Sequence, residues 1–152
     1  MFLDKGTFST VIKSTPLVSI DLIVLNEDGQ ALLGERLNRP AKGFWFVPGG
    51  RILKDESLAD AFKRLTLEEL GEQFSIEDAT LLGPYDHFYD DNVFGTDFST
   101  HYVAIGFVLK LDHALNSLPV NVQHQGYQWF DVPSLKMSET VHKHTKWYFT
   151  NL

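Results

Sequence analysis

The chain has 152 residues, contains no cysteine and carries a formal net charge of −7 at pH 7. Its length and its 43% content of hydrophobic residues are typical of one domain spanning residues 1–152. The lack of cysteine excludes disulfide frameworks and thiolate metal sites, and no apolar run has the length of a membrane span. The acidic composition argues against nucleic-acid and membrane partners, and the absence of a signal-peptide pattern predicts a cytoplasmic location.

The charge is distributed unevenly along the chain. From Gly34 to Arg64, seven basic and four acidic residues give a net charge of +3, so the remaining residues carry −10. A basic segment of this kind is usually a solvated surface, but it can also form a local anion site.

Alternation of apolar and polar residues predicts a chain rich in β-strands. A hairpin is expected from Val18–Leu25 through the turn Asn26–Gly29 to Gln30–Glu35. Further strands are predicted at Phe44–Val47, Thr80 to about His87, Thr100–Leu111 and Tyr127–Phe130, and helical structure from Pro133 onward, including Glu139–Phe149.

The strongest helix signal lies between residues 57 and 71. Ser57 and Asp60 resemble a capping box, and Gly71 stands where a left-handed terminator is expected. At about 100° per residue, Glu69 falls in the middle of the apolar stripe of this helix. A carboxylate there either turns to solvent or pairs with an arginine, or it serves as a ligand for a hard cation such as Mg²⁺.

The same helix carries a group of residues with a distinctive joint spacing: Gly50, Glu56, Arg64, Glu68, Glu69 and Gly71. This spacing resembles the Nudix box, G-x5-E-x7-R-E-U-x-E-E-x-G-U. The resemblance implies an α/β (α+β) Nudix fold, in which a mixed β-sheet is packed between α-helices, and metal-dependent chemistry on nucleoside diphosphates linked to another group. The chain departs from the box at Leu65, where the pattern has Glu, and at Glu72. The loss of a carboxylate at Leu65 favours a single-metal site, or alternatively an inactive box.

Segments outside the box make the resemblance narrower. They are Ser14–Asp21, Asn38–Arg51, His87–Asn92, Gly95–Tyr102 and the pair Gln123-His124. Together they are similar to the GDP-mannose mannosyl hydrolases, a Nudix subfamily with the same shortened box. The resemblance implies that water attacks the anomeric carbon of a GDP-sugar with inversion, which yields GDP and free sugar. GDP-mannose is the expected substrate, with GDP-glucose as a further candidate, and a homodimer is implied.

The resemblance also implies a ligand set for one Mg²⁺ per subunit, for which Mn²⁺ can substitute. The backbone carbonyl of Gly49 and the side chains of Glu69 and Gln123 would hold the ion. These are oxygen donors, as such cations require, and diphosphate oxygens and water would complete the coordination.

Catalytic and diphosphate-binding roles follow from the same resemblance. His124 would be the general base, for which an imidazole suits neutral pH; otherwise it is a surface loop histidine. Arg36 would stabilise the leaving group. Arg36, Arg51 and Arg64 match arginines that contact the diphosphate or support the site. The alternative for them is surface ion pairing, such as between Arg64 and Glu68.

Three further residues are expected to face the substrate. Tyr102 lies opposite Val103 on its strand, beside the small residues Ala104 and Gly106 that would leave room for a ligand, and it matches a phosphate-facing hydroxyl. Asp21 and His87 are assigned to the sugar side of the site by the resemblance, although Asp21 could instead be a hydrogen-bonded core carboxylate.

Two histidines near the end of the chain form no expected metal site. Positions i and i+2 of a helix diverge by about 200°, so His142 and His144 would not share an ion, and both are expected to be exposed.

Two other functions are compatible with the sequence. One is ordinary Nudix cleavage of the diphosphate, which gives GMP and a sugar 1-phosphate. The other is a non-catalytic module that binds nucleotide sugars.

Overall fold

The computed structural model describes residues 3–116, 118, 124–150 and 152. Its elements in chain order are α1 (Lys5–Ser14), β1 (Leu17–Leu25), β2 (Ala31–Arg36), β3 (Trp45–Phe46), β4 (Gly49–Arg51), α2 (Leu58–Leu70), a short 3-10 helix (Ile76–Asp78), β5 (Thr80–Tyr89), β6 (Thr100–Lys110), β7 (His124–Phe130), α3 (Val132–Met137) and α4 (Lys143–Tyr148). No helix in these ranges is long and apolar enough to cross a membrane.

The strands form one mixed sheet. Its main path runs β3-β2-β1-β6-β5, while β4 pairs with β1 and β7 pairs with β2. The pair β1 and β6 is parallel, in a register that places Ile20 opposite Ile105, and the other pairs are antiparallel. The predicted mixed sheet with helices is therefore confirmed.

Helices cover the sheet on both faces because β1 is apolar on both. Ile20, Leu22 and Val24 belong to a buried cluster with Phe62 and Leu65 of α2. Ile23, on the alternate face, belongs to a second cluster that contains residues of α3 and α4. Since side chains alternate along a strand, Asp21 is on the same face as Ile23 and α4.

The limits of α2 agree with its predicted signals. The Ser57 side chain accepts a hydrogen bond from the Asp60 amide, and Gly71 ends the helix with φ of 77°. Left-handed backbone of this kind costs glycine little, because it has no Cβ. Glu69 lies on the buried face of this helix.

Besides the short 3-10 helix, two elements were not predicted from the sequence. Helix α1 is rich in β-branched residues, which have low helix propensity, but the Asp4 side chain caps it and Ile12 anchors it in the core. Strand β4 starts at a glycine pair that indicates a turn. Gly49 instead pairs with Asp21, so closely that a Cβ on Gly49 would collide with the carbonyl oxygen of Ile20.

The continuous C-terminal helix predicted from Glu139 to Phe149 is wrong. Residues 139–142 leave the helical path because the Trp45 amide donates to the Thr140 carbonyl and the His142 amide donates to the Trp45 carbonyl. These bonds join the segment to β3, and only α3 and α4 remain helical. The predicted strand Phe44–Val47 is correspondingly short, with Trp45–Phe46 alone in the ladder.

Candidate active site

A cleft of about 660 Å³ opens where β1, β4, β5 and β6 approach α1 and α2. Its walls contain most of the predicted site residues, namely Asp21, Arg36, Gly49, Arg51, Arg64, Glu69, His87 and Tyr102. Gln123 lies outside the described residues. The backbone of His124 pairs with Arg36 at the end of β7, and its position is described by that pairing alone. Residues that are far apart in sequence are thus brought to one concave surface.

Glu69 is buried at the wall of the cleft, with 3% of the residue exposed. The hydroxyl of Tyr127 donates a hydrogen bond of 3.2 Å to its carboxylate. The alternative that Glu69 turns to solvent is therefore wrong. Its neighbour Glu68 has a side chain that is 57% exposed and that forms an ion pair of 3.2 Å with Arg64. Of the two adjacent carboxylates, only Glu69 has the burial expected of an ion ligand.

Leu65 fills the position at which the Nudix box pattern has a carboxylate. The residue is 3% exposed, and its Cδ2 atom lies 2.6 Å from the place that a Cβ on Gly50 would occupy. The side chain therefore packs directly on the glycine loop. The cleft has an apolar contact there in place of a charged oxygen ligand.

The donors on this side of the cleft fit an open Mg²⁺ site. Within the described ranges, no group of three or more histidine, aspartate or glutamate side chains forms a closed metal cage. Mg²⁺ is commonly held by one or two carboxylates together with substrate phosphates and water. Buried Glu69 and the backbone of Gly49, both at the cleft wall, match that pattern.

Arg36 and Arg51 lie over aromatic rings. The guanidinium of Arg36 is 5.6 Å from the centroid of Phe46, and that of Arg51 is 4.8 Å from the centroid of Phe8. In the part of the chain that is described, no carboxylate lies within ion-pair distance of either arginine. Ring faces hold a guanidinium without neutralising its charge. Both arginines therefore keep their positive charge available to an anion in the cleft.

Arg64 is positioned differently, because its donors bind protein groups. It donates to both carboxylate oxygens of Glu56, at 2.7 Å and 2.9 Å, and to the carbonyl of Arg51 at 2.9 Å. The hydrogen bonds from Arg64 lower the pKa of Glu56, and the same bonds raise the pKa of Arg64. The geometry favours a supporting role for Arg64, in which it fixes the loop from Arg51 to Glu56 against α2.

We expect Arg64→Lys to loosen this loop. Lysine cannot reproduce the bidentate contact to Glu56 and the third bond to the Arg51 carbonyl, so the free energy of unfolding should fall by about 1–3 kcal/mol. Urea unfolding measures the change. Lys63→Arg, at the neighbouring exposed position, should leave stability unchanged and serves as the control. Equal stability of Arg64→Lys and the parent chain would contradict the supporting role.

Asp21, His87 and Tyr148 form a hydrogen-bonded group, of which Asp21 and His87 line the cleft. The Tyr148 hydroxyl lies 2.6 Å from Asp21 Oδ2 and 3.4 Å from His87 Nε2. Burial raises the pKa of Asp21 to about 6, against the opposing hydrogen bond from Tyr148 and the charge of Arg36. Burial, with a smaller contribution from His142, lowers the pKa of His87 to about 4. At neutral pH the group therefore holds a carboxylate beside a neutral imidazole.

The expectation that His142 and His144 are exposed is wrong. His144 is 1% exposed and its ring stacks on that of His87, with centroids 4.4 Å apart and planes 4° from parallel. His142 is the N-cap of α4, outside the helix proper, so the helical angle between the two positions does not apply. Their ring centroids are 4.5 Å apart. Burial is the main cause that lowers their pKa values, to about 4 for His142 and about 3 for His144.

Tyr102 lines the cleft, and burial raises the pKa of its hydroxyl. The space predicted beside Gly106 is already occupied, because a Cβ on Gly106 would lie 2.8 Å from Cε1 of Tyr148. No site role was predicted for Tyr148 from the sequence. Asp21 and Tyr148 are 127 residues apart, and no local pattern links them.

Comparisons with known proteins agree with this architecture. The NUDIX domain family matches residues 15–150. The chain is 43% identical over 127 residues to the low-salt glycan biosynthesis protein Agl8 of Haloferax volcanii, a match that covers 83% of this chain and 78% of that protein.

Solved structures show the same fold. A MutT protein from Methanosarcina mazei superposes with a TM-score of 0.69 at 22% identity, covering 90% of this chain and 92% of that one. A MutT NUDIX hydrolase from Burkholderia pseudomallei superposes with a TM-score of 0.68 at 27% identity, covering 91% and 99%. With the family match extending over nearly the whole chain, and with the box helix and glycine loop at the wall of the cleft, the protein belongs to the Nudix hydrolase family.

Proposed function

We propose that the protein hydrolyses GDP-hexoses, GDP-mannose in particular, to GDP and free sugar by attack of water at the anomeric carbon with inversion. The observation that carries the proposal is the packing of Leu65 on Gly50, at the position where the box pattern has a carboxylate. A cleft with fewer acidic oxygens is less suited to binding several metal ions around an attacked phosphorus atom. Attack at carbon places fewer demands on metal binding.

A nucleotide-sugar substrate is supported by two further observations. The lining of the cleft combines the charged Arg36 and Arg51 with the acceptors Asp21 and His87, a combination suited to a diphosphate joined to a polyol. The relative from Haloferax volcanii is named for glycan biosynthesis, a process that consumes activated sugars.

In this proposal the arginines act on the leaving group. Negative charge develops on the diphosphate as the bond to the sugar breaks, and Arg36 and Arg51 would stabilise that charge from fixed positions over Phe46 and Phe8. Glu69, the carbonyl of Gly49 and Gln123 would hold Mg²⁺, which when bound supplies further positive charge to the same oxygens. Tyr102 would add a neutral hydroxyl donor, because its raised pKa keeps it protonated.

His124 would activate the water. Its backbone pairs with Arg36, so it starts β7 beside one of the cleft arginines, and an imidazole is half-ionised near neutral pH. We further propose that the protein acts as a homodimer in the cytoplasm, as its subfamily resemblance implies.

The reaction in ¹⁸O-labelled water tests the proposal. We expect the label in the free hexose, with unlabelled GDP as the second product. Label in GDP, in GMP or in a sugar phosphate, with none in the free hexose, would show attack at phosphorus and overturn it. Binding of GDP-mannose without turnover in Mg²⁺ or Mn²⁺ would indicate a non-catalytic module and would also overturn it.

The role of His124 has its own test. We expect His124→Gln to lower kcat by about 100- to 10,000-fold, the range typical of a lost general base, with little change in substrate affinity. His101→Gln removes an imidazole that pairs with Asp86 at the surface of β6 and is the matched control. A His124→Gln variant with parental kcat would exclude the assignment.

A further inference from the structure

Tyr148 contacts two cleft residues that come from different strands. Asp21 lies on β1 and His87 on β5, and β6 separates these strands in the sheet. The single hydroxyl of Tyr148, on α4, reaches both side chains on the sheet face that α4 covers. Tyr148 is 2% exposed and is absent from the described residues that line the cleft. Tyr148 would therefore act on a ligand only through Asp21 and His87.

The hydrogen bonds of this hydroxyl fix the proton positions around it. A distance of 2.6 Å to Asp21 Oδ2 is typical of an O–H group that donates to a carboxylate. Because a tyrosine has only one hydroxyl proton, the oxygen of Tyr148 must accept the bond from His87 Nε2, 3.4 Å away. His87 then carries its proton on Nε2, and its Nδ1 atom keeps a free lone pair.

This arrangement leaves two acceptors side by side. Nδ1 of His87 lies 3.9 Å from Oδ2 of Asp21, and both residues line the cleft. Protonation of His87 would turn one of these acceptors into a donor, and burial of the imidazole opposes that change.

Packing holds Tyr148 in place. Its ring occupies the space left by the missing side chain of Gly106, and the ring of Tyr85 meets it edge-on with centroids 4.6 Å apart. One helical turn earlier, His144 stacks on His87. Residues 144 and 148 are on one face of α4, so the helix supports both His87 and the hydroxyl that bonds to it.

We propose that Tyr148 is a positioning residue that holds Asp21 and His87 as a pair of acceptors for neighbouring hydroxyl groups of the hexose. The proposal rests on the proposed function, because it assigns the part of the cleft lined by Asp21 and His87 to the sugar. The nucleotide part would be bound by other residues, Arg36 and Arg51 among them. Loss of the Tyr148 hydroxyl should then weaken recognition of the sugar and leave binding of the nucleotide unchanged.

The Tyr148→Phe variant tests whether sugar recognition and nucleotide binding respond separately. We expect kcat/KM for GDP-mannose to fall about 10- to 100-fold, the range for a lost hydrogen bond to a charged group, while the inhibition constant of GDP stays within about twofold. Tyr85→Phe removes a hydroxyl from the ring packed against Tyr148 and should change neither value. Equal losses in kcat/KM and in GDP affinity, or the same loss in Tyr85→Phe, would overturn the positioning role.

A spectroscopic measurement tests the hydrogen bonds without any turnover. In the ¹⁵N-labelled parent protein at pH 7, NMR should show His87 as the Nε2–H tautomer; an Nδ1–H tautomer would overturn the proposed arrangement. If GDP-mannose is not hydrolysed by the parent protein but the tautomer is as expected, the proposed function fails and the bridge by Tyr148 stands. If GDP-mannose is hydrolysed but His87 is the Nδ1–H tautomer, the proposed function stands and the positioning role of Tyr148 fails.

Discussion

Replacement of Glu69 by Gln is expected to lower hydrolysis at least about 100-fold and to weaken the binding of Mn²⁺, used as a probe for Mg²⁺, by a similar factor. Gln keeps the shape of the side chain and can still accept the bond from Tyr127, so the core should remain intact. What it loses is the negative charge that a divalent cation requires in a site with few carboxylates. Electron paramagnetic resonance of Mn²⁺ and product formation together measure the effect.

Glu68→Gln is the matched control. The same change is made one residue away, at a side chain that is largely exposed and bound to Arg64, and an exposed ion pair contributes little. We expect activity within about threefold of the parent. Comparable losses in both variants, or unchanged Mn²⁺ affinity in Glu69→Gln, would be incompatible with Glu69 as the metal ligand.

The second large effect concerns stability in acid. His87 and His144 are buried and their pKa values are lowered to about 4 and about 3, whereas the unfolded chain binds protons near pH 6.5. As the pH falls from 6.5 toward 4, the unfolded state takes up protons that the folded state refuses. Each of these histidines should therefore lower the free energy of unfolding by about 1.4 kcal/mol per pH unit. Asp21, whose pKa is raised to about 6, acts in the opposite direction and offsets part of the loss.

His144→Phe should make this pH dependence shallower by about 1.4 kcal/mol per pH unit between pH 6 and pH 4.5. The groups that contribute to the lowered pKa of His144 are His87, His142 and Lys143, and all remain in the variant. Urea unfolding at several pH values gives the slope, which is independent of any constant packing cost of the larger ring. An unchanged slope would show that His144 does not titrate as its burial requires.

His113→Gln provides a contrast of opposite sign. Hydrogen bonds that His113 donates to the carboxylates of Asp112 and Glu72 raise the pKa of His113 in the folded state. Its stabilising contribution is thus complete below pH 6.5 and is lost as the pH rises through the raised pKa. Removing it should leave the slope between pH 6 and pH 4.5 unchanged, because the lost contribution is constant there, and should alter the pH dependence only above pH 6.5.

Local patterns were sufficient for the box helix. The cap at Ser57, the terminator at Gly71 and the buried position of Glu69 all depend on residues within one or two helical turns, and the structure confirms each. The departure at Leu65 was recognised from the resemblance to the box pattern. The packing of Leu65 on Gly50 follows from the fold, since the glycine loop and α2 are adjacent in sequence and in space.

The contacts of Asp21 and His87 with α4 could not be predicted in this way. Tyr148 reaches Asp21 because α4 packs on the sheet face that carries Asp21. A helical projection of the C-terminal segment gave wrong positions for His142 and His144. The projection failed because backbone bonds to Trp45 start α4 only after His142. Such a boundary depends on tertiary contacts, which outweigh local helix propensity.

The hydrogen bond between Asp21 and Tyr148 makes the proposed sugar acceptors dependent on the docking of α4. It joins residues 127 positions apart, so it exists only where β1 and α4 are both in place. The arginines of the cleft do not depend on this bond, whereas the two acceptors proposed for the sugar share it as their common support. Undocking of α4 should accordingly impair discrimination among GDP-sugars more than the binding of GDP.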